Sequence, residues 1–171
     1  MELKDTNLTP QEQTPIDKIN LILKELGSTA KWKRAPEKID GTEVLKNKTI
    51  VMVDDVQGVL EAFVPDLVIT TDGKATFIKY TGQSTEELID QIQQSKADVV
   101  LLDYHLSQAL KGSEVTRVLL GAGFNGSIVG FSSDSDAKRD FQQAGALGSV
   151  DKEAGFPKSS VSKLAELLKV R

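Results

Sequence analysis

Cysteine is absent from the 171-residue chain and histidine occurs once, as His105. Without a thiol there is no disulfide, no cysteine nucleophile and no sulfur-bound zinc or iron. One imidazole leaves His-rich metal sites and Ser-His-Asp machinery almost nothing to draw on. No apolar run approaches the roughly 18 residues of a membrane-spanning helix. The opening MELKDTNLTPQEQT is polar throughout, so no secretory signal is read and a cytoplasmic location is the default expectation. An excess of basic charge is missing too: 21 Lys and Arg face 25 Asp and Glu, a formal charge of -4. That balance argues against a protein whose main task is binding nucleic acid, although it leaves room for a small basic patch.

What is present is the mixture of a globular protein, 39% hydrophobic and 27% charged. The length suits one domain plus an appendage of a few dozen residues. Texture divides the chain at about residue 47. Residues 1–47 are polar and hold three of the five prolines, whereas residues 48–171 alternate short apolar runs with helical patterns. Residues 1–47 are therefore read as an N-terminal extension and 48–171 as the main domain. In the extension, PIDKINLILKELG predicts a helix over 15–27, with Thr14 as cap, Pro15 in the first position and Gly27 as stop. Ile19, Ile22, Leu23 and Leu26 give it an apolar face, which must be buried on its own domain or against another molecule, for example in a homodimer. KWKRAPEKIDG then reads as a linker.

In the main domain, KTIVMV (48–53), ATFIK (75–79), VVLL (99–102), SIVGF (127–131) and LGSV (147–150) read as strands. Helical stripes separate them. Ser84 with Glu87 forms a capping-box signature ahead of Leu88, Ile89 and Ile92. Val115, Val118 and Leu119 precede Gly121; Ala137, Phe141 and Ala144 precede Gly145; Val161, Leu164, Ala165 and Leu168 follow Pro157. The expectation is an α/β fold of (βα)5 flavodoxin-like topology. It is a three-layer αβα sandwich around a five-stranded parallel sheet, with an N-terminal helical extension. Pro65 falls inside the stripe of residues 58–73, where a proline costs about 3 kcal/mol, so a kink or a stop and restart is expected there.

Ligands of open α/β sheets bind beyond the carboxyl ends of the strands. The first strand ends in Asp54 and Asp55, the third in Asp103 and the fourth in Ser132, and Lys152 follows the fifth. If strands one, three, four and five are neighbours, these groups share one rim. Three clustered carboxylates repel, at roughly 4 kcal/mol per pair for a 4 Å separation and an effective dielectric near 20. A cation or a proton must join them. Oxygen donors without histidine or thiolate favour Mg²⁺ or Mn²⁺ over zinc. A hydroxyl and a lysine beside them suit a phosphoryl group, and a carboxylate nucleophile there would form an aspartyl phosphate.

These segments together resemble a family. From about residue 48 onward, VMVDD, VVLLD, GFSS and GALGSVDKE are similar, in order and spacing, to the motifs of response-regulator receiver domains of two-component and phosphorelay systems. The resemblance implies that Asp103 is the phosphoacceptor and that Asp55 binds Mg²⁺ directly. It implies that Asp54 acts largely through water and that the His105 backbone carbonyl completes the protein ligands. Ser132 would be the switch hydroxyl and Lys152 its ionic partner. It further implies a sensor histidine kinase or a histidine phosphotransfer protein as donor and an unknown downstream protein target. There would be Mg²⁺-dependent self-phosphorylation and slow autodephosphorylation, not conventional enzymatic turnover. Neither membrane nor direct nucleic-acid binding is expected.

The chain departs from the family pattern at four places. Ser107 stands where a proline is usual, and Gly112 comes one residue late. Ser149 replaces the switching aromatic, and Glu153 replaces the proline after the lysine. The usual coupling through an aromatic ring therefore cannot operate. A dehalogenase-like phosphatase would need a second acid at His105, and no GxxxxGK phosphate loop supports a nucleotidase. With the chain ending after its last helix, a stand-alone regulator or relay intermediate is expected. The alternative is a degenerate receiver that only binds protein or dimerises.

Overall fold

The five apolar runs become parallel strands: β1 (Ile50–Asp54), β2 (Ala75–Lys79), β3 (Val99–Asp103), β4 (Ser127–Ser132) and β5 (Gly148–Asp151). They lie side by side in the order β2-β1-β3-β4-β5. The structure, a computed structural model, describes residues 9–34, 36–153 and 157–170; residues 1–8, most of the polar opening stretch, lie outside them. Six helices, α1 (Pro10–Glu25), α2 (Gln57–Thr70), α3 (Thr85–Gln94), α4 (Gly112–Gly121), α5 (Ser135–Ala144) and α6 (Pro157–Lys169), cover both faces of the sheet. The central strands β1, β3 and β4 are consequently buried at every residue, which is why they read as continuous apolar runs. This is the expected three-layer flavodoxin-like fold. None of the helices among the described residues is long and apolar enough to cross a membrane.

Alternate residues of each strand feed separate cores. Ile50, Met52, Val99, Leu101, Val129 and Phe131 meet the layer of α1, α2 and α6. Val51, Val53, Val100, Leu102 and Ile128 meet α3, α4 and α5. Ile19, Ile22 and Leu23 of α1 belong to the first core, with Leu26 packed at its margin. Of the two burials open to that face, the structure takes packing within the chain.

Local signals set most helix ends. Ser84 Oγ accepts from the Glu87 N–H at 3.2 Å and Glu87 returns a carboxylate to the Ser84 N–H at 3.3 Å, closing the capping box of α3. Gly145, at φ +101°, terminates α5 in the left-handed conformation that a glycine adopts without steric cost.

Three expectations are corrected. Helix α1 starts at Pro10, not Pro15, because Thr9-Pro10 repeats the Thr14-Pro15 start signal five residues earlier and the helix continues through the later proline. Helix α2 does not stop and restart at Pro65 but continues to Thr70; Phe63, Val64, Leu67 and Val68 are all buried around the proline, and that packing outweighs the local cost. Val118, expected on the apolar stripe of α4, is 46% exposed, and Val115 and Leu119 carry that contact.

Candidate functional site

Parallel pairing sets the strand ends level. Asp103 of β3 stands opposite Phe131 of β4, and Ser132 of β4 opposite Asp151 of β5, so Lys152 emerges one residue beyond the same rim. Its ammonium nitrogen lies 2.9 Å from Asp103 Oδ1 and 2.7 Å from Asp54 Oδ2. The latter oxygen is fully buried and, although at ion-pair distance, has no well-directed hydrogen bond. Asp54 Oδ1 accepts the Val56 N–H at 2.8 Å, which fixes the carboxylate on the turn into α2. Asp55, half-buried, completes a trio whose carboxylate oxygens lie within 4.8 Å of one another. The lysine also lies over the Phe131 ring, 5.2 Å from its centroid, so its position is braced from the apolar side.

One ammonium against three carboxylates leaves the pocket negative. Burial, then the neighbouring Asp54 charge, pushes the Asp103 carboxyl up to about 6 despite the Lys152 contact. Burial likewise raises Asp54 above the ordinary carboxylate range, against the opposing pull of Lys152 and the Val56 N–H. Lys152 is itself raised: desolvation works against its charge, but the Asp54 and Asp103 carboxylates at ion-pair distance prevail. A small hard cation fits this donor set. Three carboxylates converge, one of their oxygens is buried without a directed donor, and no nitrogen or sulfur ligand competes.

The remaining predicted residues sit around the rim. Ser132 is buried, and its Oγ accepts the Asp134 N–H at 3.0 Å. The His105 side chain is exposed, turned away from the carboxylates to Asp134 Oδ2 at 2.9 Å. Gly112 is required by close approach: its N–H donates to the Tyr104 carbonyl at 2.7 Å, and a Cβ there would lie 2.1 Å from the Asp103 carbonyl oxygen. Ser149 lies beside Gly130 in register, where the Phe141 ring of α5 covers the sheet so closely that a Gly130 Cβ would come within 2.2 Å of it.

Two groups escaped the sequence reading. Tyr104, directly after Asp103, is buried, and its hydroxyl donates to Asp140 Oδ2 on α5. That bond, with burial, pushes the Tyr104 hydroxyl up to about 12 and lowers Asp140. Asp134 caps α5 by accepting the Asp136 N–H at 2.9 Å. Strand alternation alone would have sent Tyr104 to the face opposite Asp103; nothing local announces its partner.

No family model matches the chain, and no curated protein matches it. Solved structures do. The signal receiver domain of the response regulator NarL from Mycobacterium tuberculosis is 19% identical at a TM-score of 0.52, over 80% of this chain and 100% of that one. A LuxR-family two-component response regulator from an Aurantimonas species is 23% identical at a TM-score of 0.56, over 71% of this chain and 85% of that one. The receiver domain of the histidine kinase CKI1 from Arabidopsis thaliana is 17% identical at a TM-score of 0.54, over 74% and 94%. The chain therefore has the fold of response-regulator receiver domains.

Proposed function

We propose that the protein is a phosphoacceptor signalling domain of a two-component system or phosphorelay, taking a phosphoryl group on Asp103 from a phosphohistidine partner and signalling by docking. The observation that carries this reading is the Lys152 ammonium held between Asp54 and Asp103, at 2.7 and 2.9 Å, with Asp55 beside them. A domain retained only for binding protein would gain nothing from three acids gathered at one strand-end rim, where their repulsion opposes folding.

In the reaction, an Asp103 carboxylate oxygen forms a bond to phosphorus while the phosphorus–nitrogen bond of the donor imidazole breaks. The leaving nitrogen keeps the electron pair and takes a proton. Lys152 pairs with a phosphoryl oxygen once Asp103 is esterified, and the Ser132 hydroxyl donates a hydrogen bond to another. Asp54, Asp55, Asp103 and the His105 carbonyl would hold Mg²⁺, with Mn²⁺ as a substitute. The bound ion supplies neutralisation of carboxylate and phosphoryl charge. Slow attack of water on phosphorus returns the free carboxylate, so the chain consumes one phosphoryl group per signal and is not a conventional enzyme.

Incubation with acetyl phosphate and Mg²⁺ followed by intact-mass measurement tests the reading. The expected result is one phosphate adduct, acetate being the leaving group, and no adduct in Asp103→Asn. Absence of any adduct with either Mg²⁺ or Mn²⁺ would overturn it.

A further inference from the structure

Asn20 of α1 holds Trp32 by both main-chain groups, accepting its N–H at 2.7 Å and donating to its carbonyl at 3.1 Å. The strap of residues 28–34 that follows α1 is thereby fastened back onto the helix. Farther along, Glu37 pairs with Lys158 of α6 at 3.7 Å, and Ile39 and Val44 pack against the first core. What the strap presents differs in charge from the chain as a whole. Between Lys18 and Arg34 stand five basic residues and one acid, Glu25, in a chain of formal charge -4. Lys31, Lys33 and Arg34 flank Trp32, the sole tryptophan and the only aromatic residue before Phe63. All four are exposed, Trp32 by 40%, and Leu21, next to Asn20 on α1, is exposed by 50%. Arg139 and Lys163, also open to water, are spent on Asp136, Asp140 and Glu153. Lys31, Lys33 and Arg34 enter no ion pair among the described residues.

We propose that this strap is a docking surface for an acidic segment of a partner protein, with Trp32 as its apolar anchor and Lys31, Lys33 and Arg34 as its charged rim. The surface is separate from Asp103 and does not depend on that residue taking a phosphoryl group. Charge complementarity gives the partner its surplus of Asp and Glu. Interface energy concentrates in aromatic and Arg anchors, and Arg34 is able to grip a carboxylate with two parallel N–H bonds. Because Asn20 already fixes the strap, little ordering is left on this side to oppose binding. Two other polyanions fit less well. An anionic bilayer takes up a helix by a free apolar face, whereas Ile16, Ile19, Ile22 and Leu23 of α1 are buried. Single-stranded nucleic acid is held by stacking successive bases on several aromatic rings, and residues 1–47 contain one.

As the only tryptophan, Trp32 reports on this surface by its own emission in the unlabelled full chain. The probe is a synthetic peptide repeating Asp-Glu-Leu-Glu, with its Asn-Gln-Leu-Gln counterpart as uncharged control and no acetyl phosphate present. The acidic peptide should change the emission saturably, more weakly as salt is raised, and the control should not. No saturable change up to about 1 mM acidic peptide overturns the proposal. The triple variant Lys31→Glu/Lys33→Glu/Arg34→Glu should lose at least about tenfold in affinity. Lys96→Glu/Arg117→Glu/Lys138→Glu makes the same change of charge at exposed positions on the layer of α3, α4 and α5, and should lose less than about threefold. Equal losses would mean attraction by net charge alone and overturn the assignment. In Trp32→Ala, followed by anisotropy of fluorescein-labelled peptide, the loss should be about thirtyfold, as for an interface anchor, and unchanged affinity overturns that role. A thymidine oligonucleotide and phosphatidylserine-containing vesicles are compared with the peptide. Tighter binding of either assigns the surface elsewhere and overturns the protein partner. Asp103→Asn should bind the peptide as the parent does, so failure of the acceptor reading leaves this one standing.

Discussion

Asp98, just before β3, and Asp103, at its end, are the same residue type at the two ends of one strand, in opposite surroundings. Asp98 stitches strand ends together. Its Oδ2 accepts the Thr49 N–H at 2.8 Å, its own N–H donates to the Thr49 carbonyl at 2.8 Å, and its carbonyl accepts from Ser127 at 2.9 Å. Asp103 instead is buried against Asp54 and Asp55, with the Lys152 ammonium as its ion-pair partner. A carboxylate that satisfies backbone donors contributes to the fold. One forced beside other carboxylates opposes it, and such a placement persists where chemistry requires it. Cavity size does not report this difference. A depression of about 640 Å³ lies at the Asp98 end, lined by Lys48, Lys96, Phe124 and others, away from the acid cluster.

Removing the cation tests the contrast most severely. In Lys152→Ala the buried Asp54 and Asp103 lose their common counter-ion, and urea unfolding at pH 8 should show a loss of about 3 kcal/mol, as for breaking a buried pair from one side. Added Mg²⁺ should recover part of that loss. At pH 5, where Asp103 holds its proton, the loss should shrink. A change under about 1 kcal/mol at pH 8 would mean that the carboxylates do not strain the fold.

The converse change should stabilise. A carboxyl held at about 6 in the folded chain binds its proton more tightly there than in the unfolded chain. Its contribution is therefore favourable below the ordinary carboxylate range and is lost as pH rises through 6. Asp103→Asn, neutral at every pH, should gain on the order of 2 kcal/mol over the parent at pH 7.5, with the gain vanishing below about pH 4. Denaturant titrations at the two pH values check it, and equal stabilities at pH 7.5 would remove the claim that Asp103 is held at a cost.

The sequence made the Asp103 end of the strand easier to read than the contacts behind it. Uninterrupted apolar runs identify strands buried on both faces, and an acid ending such a run has few places to point other than the rim. The pairing of Tyr104 with Asp140 was not legible, because the residues stand 36 positions apart and meet only once α5 has taken its rotation on the sheet. The apolar face of α1 announced that it would be buried but not on what, since an amphipathic stripe carries no information about its partner. At Pro65 local propensity pointed the wrong way, and the buried neighbours Phe63, Val64 and Leu67 decided the outcome.

The smallest expected effect comes from the other end of β3. Asp98 is exposed, so in Asp98→Ala water can replace the lost acceptor at the Thr49 N–H, and the cost should be about 0.5–1 kcal/mol by denaturant titration. The variant should still take the phosphate adduct on Asp103. The double variant Asp98→Ala/Asp103→Asn then measures whether the strand transmits anything between its ends. Its five residues place the two side chains roughly 16 Å apart, beyond the reach of direct packing, and the single effects, opposite in sign, should add within about 0.5 kcal/mol. A larger coupling would mean that the backbone bonds at the amino end help to hold Asp103 in its crowded position, and the two ends would have to be treated as one device.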